Sequence, residues 1–169
     1  MRVYVPATIA MLQRLVEDEQ LDPVSRTAFA VTPALREAYA SGDDDELAEV
    51  AMTEAARASL RLLAAEAEEG EGDKPLFRRA VIAADVEDVK LRPDLDDAVV
   101  RLSAPLELSA VASVHVDLAE AEESIERAAK VIDAADLGDA DAEFVLGDAE
   151  DHELAWYATQ ELPFLLELL

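Results

Sequence analysis

The sequence predicts an α+β fold: a single layered domain over residues 1–169, with a mixed sheet of four or five strands and about five helices. Three observations carry this expectation. Apolar residues recur at helical spacing in several windows, while short β-branched runs between them alternate in the manner of strands. Helices and strands interleave without the strict alternation of a wholly parallel sheet. The 169 residues suit one domain and bury enough surface to form a core without staples, and there is no cysteine to supply any.

Arg2–Pro6 reads as the first strand, ended by Pro6, with Thr8 placed to cap the following helix. Ile9, Leu12, Leu15 and Val16 form that helix's inner face, and it stops near Gln20, ahead of Asp22-Pro23. Thr27–Thr32 predicts a second strand. Thr32-Pro33 then opens a helix, threonine as cap and proline in the first turn, and Ser41-Gly42 closes it. Asp43 to Glu46 complements the positive N-terminal end of a long helix running to about Glu66, with Leu47, Val50, Ala51, Glu54, Ala58 and Leu62 on one side. The acidic stretch near 66–74 lacks an apolar period and holds two glycines, so a flexible surface loop is expected. Strands follow at 77–86, 98–102 and 112–117, then a helix over 119–135 with Ala121, Ile125, Ala128, Ala129 and Ile132 inward. A loop holding Gly138 and Gly147 leads to a last helix from about Ala149, ended or kinked by Pro163.

Thirty-nine acidic and fourteen basic residues give a formal charge of −25. The charge is graded along the chain: after residue 102 only Arg127 and Lys130 oppose the carboxylates. Such a field repels a bare phosphate backbone and an anionic membrane surface, so neither direct nucleic-acid binding nor membrane binding is expected. No apolar run approaches the roughly 20 residues of a membrane span, and the chain start does not read as a secretory signal. A cytoplasmic location is the resulting expectation. The bias toward arginine, alanine, valine and acids also suits a GC-rich genome or adaptation to salt, in which case many carboxylates are a solvating surface.

Candidate chemistry is sparse. Asp148–Tyr157 concentrates four carboxylates, His152 and the single tryptophan. His152 beside Glu153 reads as an acid–base or metal site, but the same residues serve equally as a helix start, capped by Asp148 and with Trp156 buried. Trp156 stands where a zinc-protease motif needs its second histidine. His115 and Asp117 share one face of a strand, where a carboxylate could orient the imidazole, or where both simply lie on a half-exposed sheet. Asp139, Asp141, Glu143 and Glu150 match positions one, three, five and twelve of a calcium loop, yet Phe144 occupies the position that requires glycine. Asp94, Asp96 and Asp97 sit in Pro-Asp turn chemistry. The five glycines form no phosphate-binding loop, and no cofactor or bound metal is expected.

Met1-Arg2-Val3-Tyr4-Val5-Pro6-Ala7-Thr8, Thr27–Glu37 and Gly147–Leu162 together resemble a family of small acidic actinobacterial proteins whose sequences begin M-R-V-Y-V-P-A-T. The resemblance spans essentially the whole chain. It implies a bacterial cytoplasmic origin and carries over no activity and no site.

Three functions compete on this reading. The first is a non-enzymatic interaction or regulatory protein that meets a basic protein partner. The second is a small hydrolase or lyase using carboxylates with His115 or His152, which requires the two histidines to converge in a cleft. The third is a nucleic-acid mimic with carboxylates in regular rows. The apolar end, Leu162–Leu169, is expected to dock on its own domain or on a second copy as a homodimer.

Overall fold

A computed structural model describes residues 1–70 and 74–169. Its centre is a seven-stranded sheet in the order β5-β6-β3-β1-β4-β8-β9. The strands are β1 (Arg2–Ala7), β3 (Thr27–Phe29), β4 (Ala80–Asp85), β5 (Val89–Leu91), β6 (Val99–Leu102), β8 (Val111–Val116) and β9 (Ala155–Ala158). Every pairing in it is antiparallel. A separate two-stranded ribbon joins β2 (Gln20–Leu21) to β7 (Leu106–Glu107). The fold is α+β as expected, but the sheet is larger than four or five strands and is not mixed.

The two extra strands of the main sheet are its edges. β5 is a three-residue run beside Arg92-Pro93, too short to show alternation. β9 lies where a helix was expected to run on from Ala149. The acid-rich segment before β9 is itself helical: α5 (Ala140–Glu150) starts at Asp139, whose carboxylate accepts from the Ala142 N–H at 2.9 Å. Gly147 therefore lies inside a helix, and Asp148 ends one rather than capping its start. Pro163 sits in the first turn of the closing helix α6 (Leu162–Leu168), where its missing N–H costs nothing.

Burial on both faces of the sheet explains its alanine and valine content. Val3, Val5 and Ala7 of β1 share one face with Ile82, Val114 and Val116. That face is covered by α1 (Ile9–Asp18), through Leu12 and Leu15, and by Leu162 and Leu165 of α6. On the opposite face Phe29, Val81 and Val99 pack beneath α3 (Asp44–Glu69) through Leu47, Ala51 and Ala55. The small α2 (Pro33–Ala38), capped by Thr32, adds Leu35 to this layer.

The buried residues of α3 include Leu47, Ala51, Ala55, Ser59 and Leu63, at intervals of four. The expected stripe through Val50, Ala58 and Leu62 flanks this line, and half-buried Glu54 is not on it. Ser59 ties the helix to the sheet by donating to Ala7 O at 2.7 Å and accepting from Ala80 N–H at 3.1 Å. Further along, Leu60 and Leu63 meet a hairpin formed by α4 (Glu122–Asp136) and α5, through Ile125, Ile132 and Leu146. The helical run of α3 continues through the glutamates expected to begin a loop, reaching Glu69, while residues 71–73 of that loop lie outside the described residues.

Candidate functional site

The end of α5 and the turn beyond it, α3 and β8 enclose a cleft of about 430 Å³. Its lining includes Glu49, Met52, Thr53, Ala56 and Arg57 from α3, His115 from β8, and Glu150, His152, Glu153 and Leu154 from the end of α5 and the turn beyond it. Both histidines of the chain, far apart in sequence, therefore share one cavity with three glutamates. The volume falls within the range of ordinary ligand cavities.

The floor of the cleft is held by a buried ion pair. Arg79 is 3% exposed and Asp117 1%. Arg79 Nε and Nη2 donate to the two carboxylate oxygens at 2.8 Å each, and the Arg79 backbone N–H donates to Asp117 Oδ2 at 2.8 Å. The second Arg79 Nη2 bond reaches His152 O at 2.8 Å, which pins the turn carrying His152 to the edge of β4. Asp117 is thus engaged with Arg79 and leaves His115 without the carboxylate partner its strand spacing suggested.

His115 has a different neighbour. Its Nε2 lies 3.1 Å from Ser113 Oγ, two residues back on the same face. Burial, then the positive charge of Arg2, pushes the imidazole pKa below its ordinary value, so the ring is neutral near pH 7. Ser113 itself is buried, at 6% exposure. The alternation is set by a bulge: Ala84 pairs with Val111 and Ala83 with Ser113, leaving Ala112 extra. Beyond it Ser113, His115 and Asp117 face α3, while Val114 and Val116 face α1.

Trp156 is directly opposite His115 across the β8–β9 pair. Residues opposite one another point to the same face, so the indole neighbours the imidazole on the sheet surface, next to the cleft but not in its lining. It is 61% exposed rather than buried. β9 is an edge strand of the sheet among the described residues.

Arg57 forms the other wall. It reaches Asp136 at 3.0 Å, Glu143 at 3.1 Å and Glu150 at 3.7 Å, and Arg61 also binds Asp136, at 2.8 Å. These contacts dispose of the calcium-loop expectation. Asp139 is a helix cap, Asp141 lies in the first turn of α5, and Glu143 and Glu150 answer Arg57, so the four carboxylates are strung along a helix instead of gathered in a loop. Among the described residues no group of three or more histidine or acidic side chains is placed to hold a metal ion. The other acidic segment, Asp94–Asp97, is a turn in which Arg92 binds Asp94 and lowers its pKa to about 2. On α4, Arg127 pairs with Glu123 and Lys130 with Glu126.

Of the residues singled out in the sequence, the cleft gathers His115, His152, Glu153 and Glu150, with Asp117 bonded to its floor. Asp139 and Asp141 are not among its lining. Arg79, Arg57 and Glu49 escaped sequence reasoning. A signal was present: in a chain this poor in bases, Arg78-Arg79 abuts a buried strand, and Arg57 and Arg61 stand one helical turn apart.

The fold and site define an antiparallel α+β protein with a histidine- and carboxylate-lined cleft between its helical layer and a sheet edge. The chain belongs to a family of unknown function, DUF6912, whose model matches residues 1–166. Comparison with curated proteins and with solved structures yields no match. No described helix is long and apolar enough to cross a membrane.

Proposed function

We propose that the protein is a non-enzymatic interaction or regulatory protein of the bacterial cytoplasm that presents an acidic surface to a basic protein partner. One observation carries this reading. Among the described residues, ten of the fourteen basic side chains are in internal ion pairs, from Arg2–Asp85 to Lys130–Glu126. Most of the positive charge is answered within the chain, largely at its surface, and the surplus carboxylates are left to set the external field. Such a field accelerates encounter with a basic surface and disfavours acidic competitors.

The test is to isolate proteins retained by the immobilised chain, purify them, and measure pairwise binding by calorimetry at low and moderate salt. A stoichiometric complex with a basic protein that weakens as salt rises is expected. A chain that stays monomeric by light scattering and binds none of the purified proteins at either salt refutes the reading. The same light scattering reads self-association through Phe164 and Leu168, exposed on α6 while Leu162 and Leu165 of that helix are buried in the core.

A second reading, a small hydrolase or lyase, is favoured by the convergence of His115, His152, Glu150 and Glu153 in one cleft. A neutral His115 has the protonation state of a general base. Against it, Ser113 is buried and Asp117 is committed to Arg79. Turnover of ester, phosphoester or elimination substrates that disappears in both His115→Gln and His152→Gln supports this reading. Turnover that survives both substitutions removes it.

A further inference from the structure

We propose that the cleft between α3 and the β8–β9 edge is the recognition pocket for an arginine side chain on the basic partner, with Trp156, next to His115 on the sheet, as a platform beside it. This inference rests on the interaction reading above and names the place and the chemistry of contact.

The sign of the charge in the cleft comes from its wiring. Two arginines line it, and both are answered from behind: Arg79 by Asp117, Arg57 by Asp136 and Glu143. Glu150 is only at the margin of contact with Arg57, at 3.7 Å. Glu49 and Glu153 are exposed and enter no ion pair among the described residues. His115 adds no positive charge while it is neutral. His152 apart, the charged groups of the cleft lining that enter no ion pair among the described residues are thus carboxylates.

The shape narrows the occupant further. The cavity of about 430 Å³ has Met52, Ala56, Leu60 and Leu154 in its wall, an apolar lining suited to a long aliphatic stem. A planar guanidinium at the end of that stem matches carboxylates in bidentate geometry, and arginine pairs with an indole face more often than lysine does. Trp156 sits on an edge strand, opposite His115, with most of its surface open. An exposed indole face is suited to a cation. The opposite edge of the sheet differs: β5 carries Lys90 at its centre, a side chain that repels a basic segment.

Trp156 is the single tryptophan of the chain, so its emission reports this site alone. The experiment titrates the intact protein with a short arginine-rich peptide and with lysine-rich and glutamate-rich peptides of equal length. Binding is followed in parallel by Trp156 fluorescence and by calorimetry, at about 0.15 M salt. A saturable emission change is expected with the arginine peptide, a weaker response with the lysine peptide, and none with the glutamate peptide. The Glu49→Gln/Glu153→Gln variant alters two exposed residues and should weaken arginine-peptide binding roughly tenfold. The Glu17→Gln/Asp18→Asn variant, with the same change of charge on α1 beyond the other face of the sheet, should weaken it by less than about twofold.

Calorimetric binding with no change in Trp156 emission, or equal weakening in the two variants, overturns the cleft as the docking site while leaving the acidic-surface reading standing. Equal affinity for the lysine and arginine peptides overturns the guanidinium assignment. Absence of calorimetric binding to any basic peptide overturns the pocket and counts against the broader reading as well.

Discussion

Replacing Asp117 by asparagine keeps the side chain's shape and removes its charge from the floor of the cleft. In the folded protein Asp117 accepts three bonds of 2.8 Å from Arg79, and the two side chains are 0% and 4% exposed. The variant leaves a guanidinium buried without its counter-charge, an arrangement that costs about 3–5 kcal/mol. For a domain of this size each kcal/mol moves Tm by about 2–4 °C, so the melting point should fall by roughly 6–20 °C. Urea unfolding followed by far-UV circular dichroism gives the free energy directly. The double variant Arg79→Met/Asp117→Leu supplies the control, because an apolar pair of similar volume avoids the unpaired charge. It still strands the His152 carbonyl that Arg79 serves and the residue-79 backbone N–H that bonds Asp117, so a residual cost of about 1–3 kcal/mol for each of these two groups remains. A single variant that loses less than about 1 kcal/mol refutes the account of this pair as a mutually compensated buried charge.

Three further outcomes follow from contacts elsewhere in the fold. Ser59→Ala should cost about 1–3 kcal/mol in urea unfolding, because Ala7 O and Ala80 N–H lose a shared buried partner. Thr32→Ala should cost about 1–2 kcal/mol in the same measurement, since Thr32 caps Leu35 N–H at 3.0 Å and also donates to Asp97 O. The folded pKa of His115 is depressed, so its contribution to stability is complete above the unfolded value of about 6.5 and is lost as pH falls through the folded value. The difference in Tm between wild type and His115→Gln, scanned from pH 7.5 down to about 5.5, should therefore change below about pH 6.5 and be flat above it.

Long, strongly periodic segments were legible in the sequence. The inward face of α4, from Ala121 to Ile132, is buried as its spacing required, and Thr8 and Thr32 cap the helices they precede. The edges of the sheet were not legible, for a physical reason. An edge strand of three or four residues has too few positions to display a period, and Ala155–Ala158 offers Trp and Tyr to either structure. Gly147 misled as a loop signal because the hydrophobic contacts of Leu146 and Ala149 outweigh the modest helical penalty of one glycine. At the site, the clustering of His152 with acids was visible, but its meeting with His115 depends on β9 pairing with β8, a long-range fact that no local pattern encodes. The Asp117–Arg79 pair was hidden likewise: same-face spacing pointed Asp117 at His115, and a guanidinium from the residue just before β4 claimed it.

The central pair of the sheet has a consequence for how the chain reaches its fold. β1 finds its six-residue partner in β4, with Arg2 and Asp85 83 residues apart, and meets β3 at a single register position. At a synthesis rate of about 5–20 residues per second, β1 waits roughly 4–17 s on the ribosome before β4 has been made. During that time Val3 and Val5, later without any solvent exposure, have no lasting shelter. Closing so long a loop is entropically slow, and the innermost strand is therefore among the last to be secured. A nascent chain halted before residue 80 should bind a general chaperone through its first strand, and one extended past residue 85 should begin to let it go.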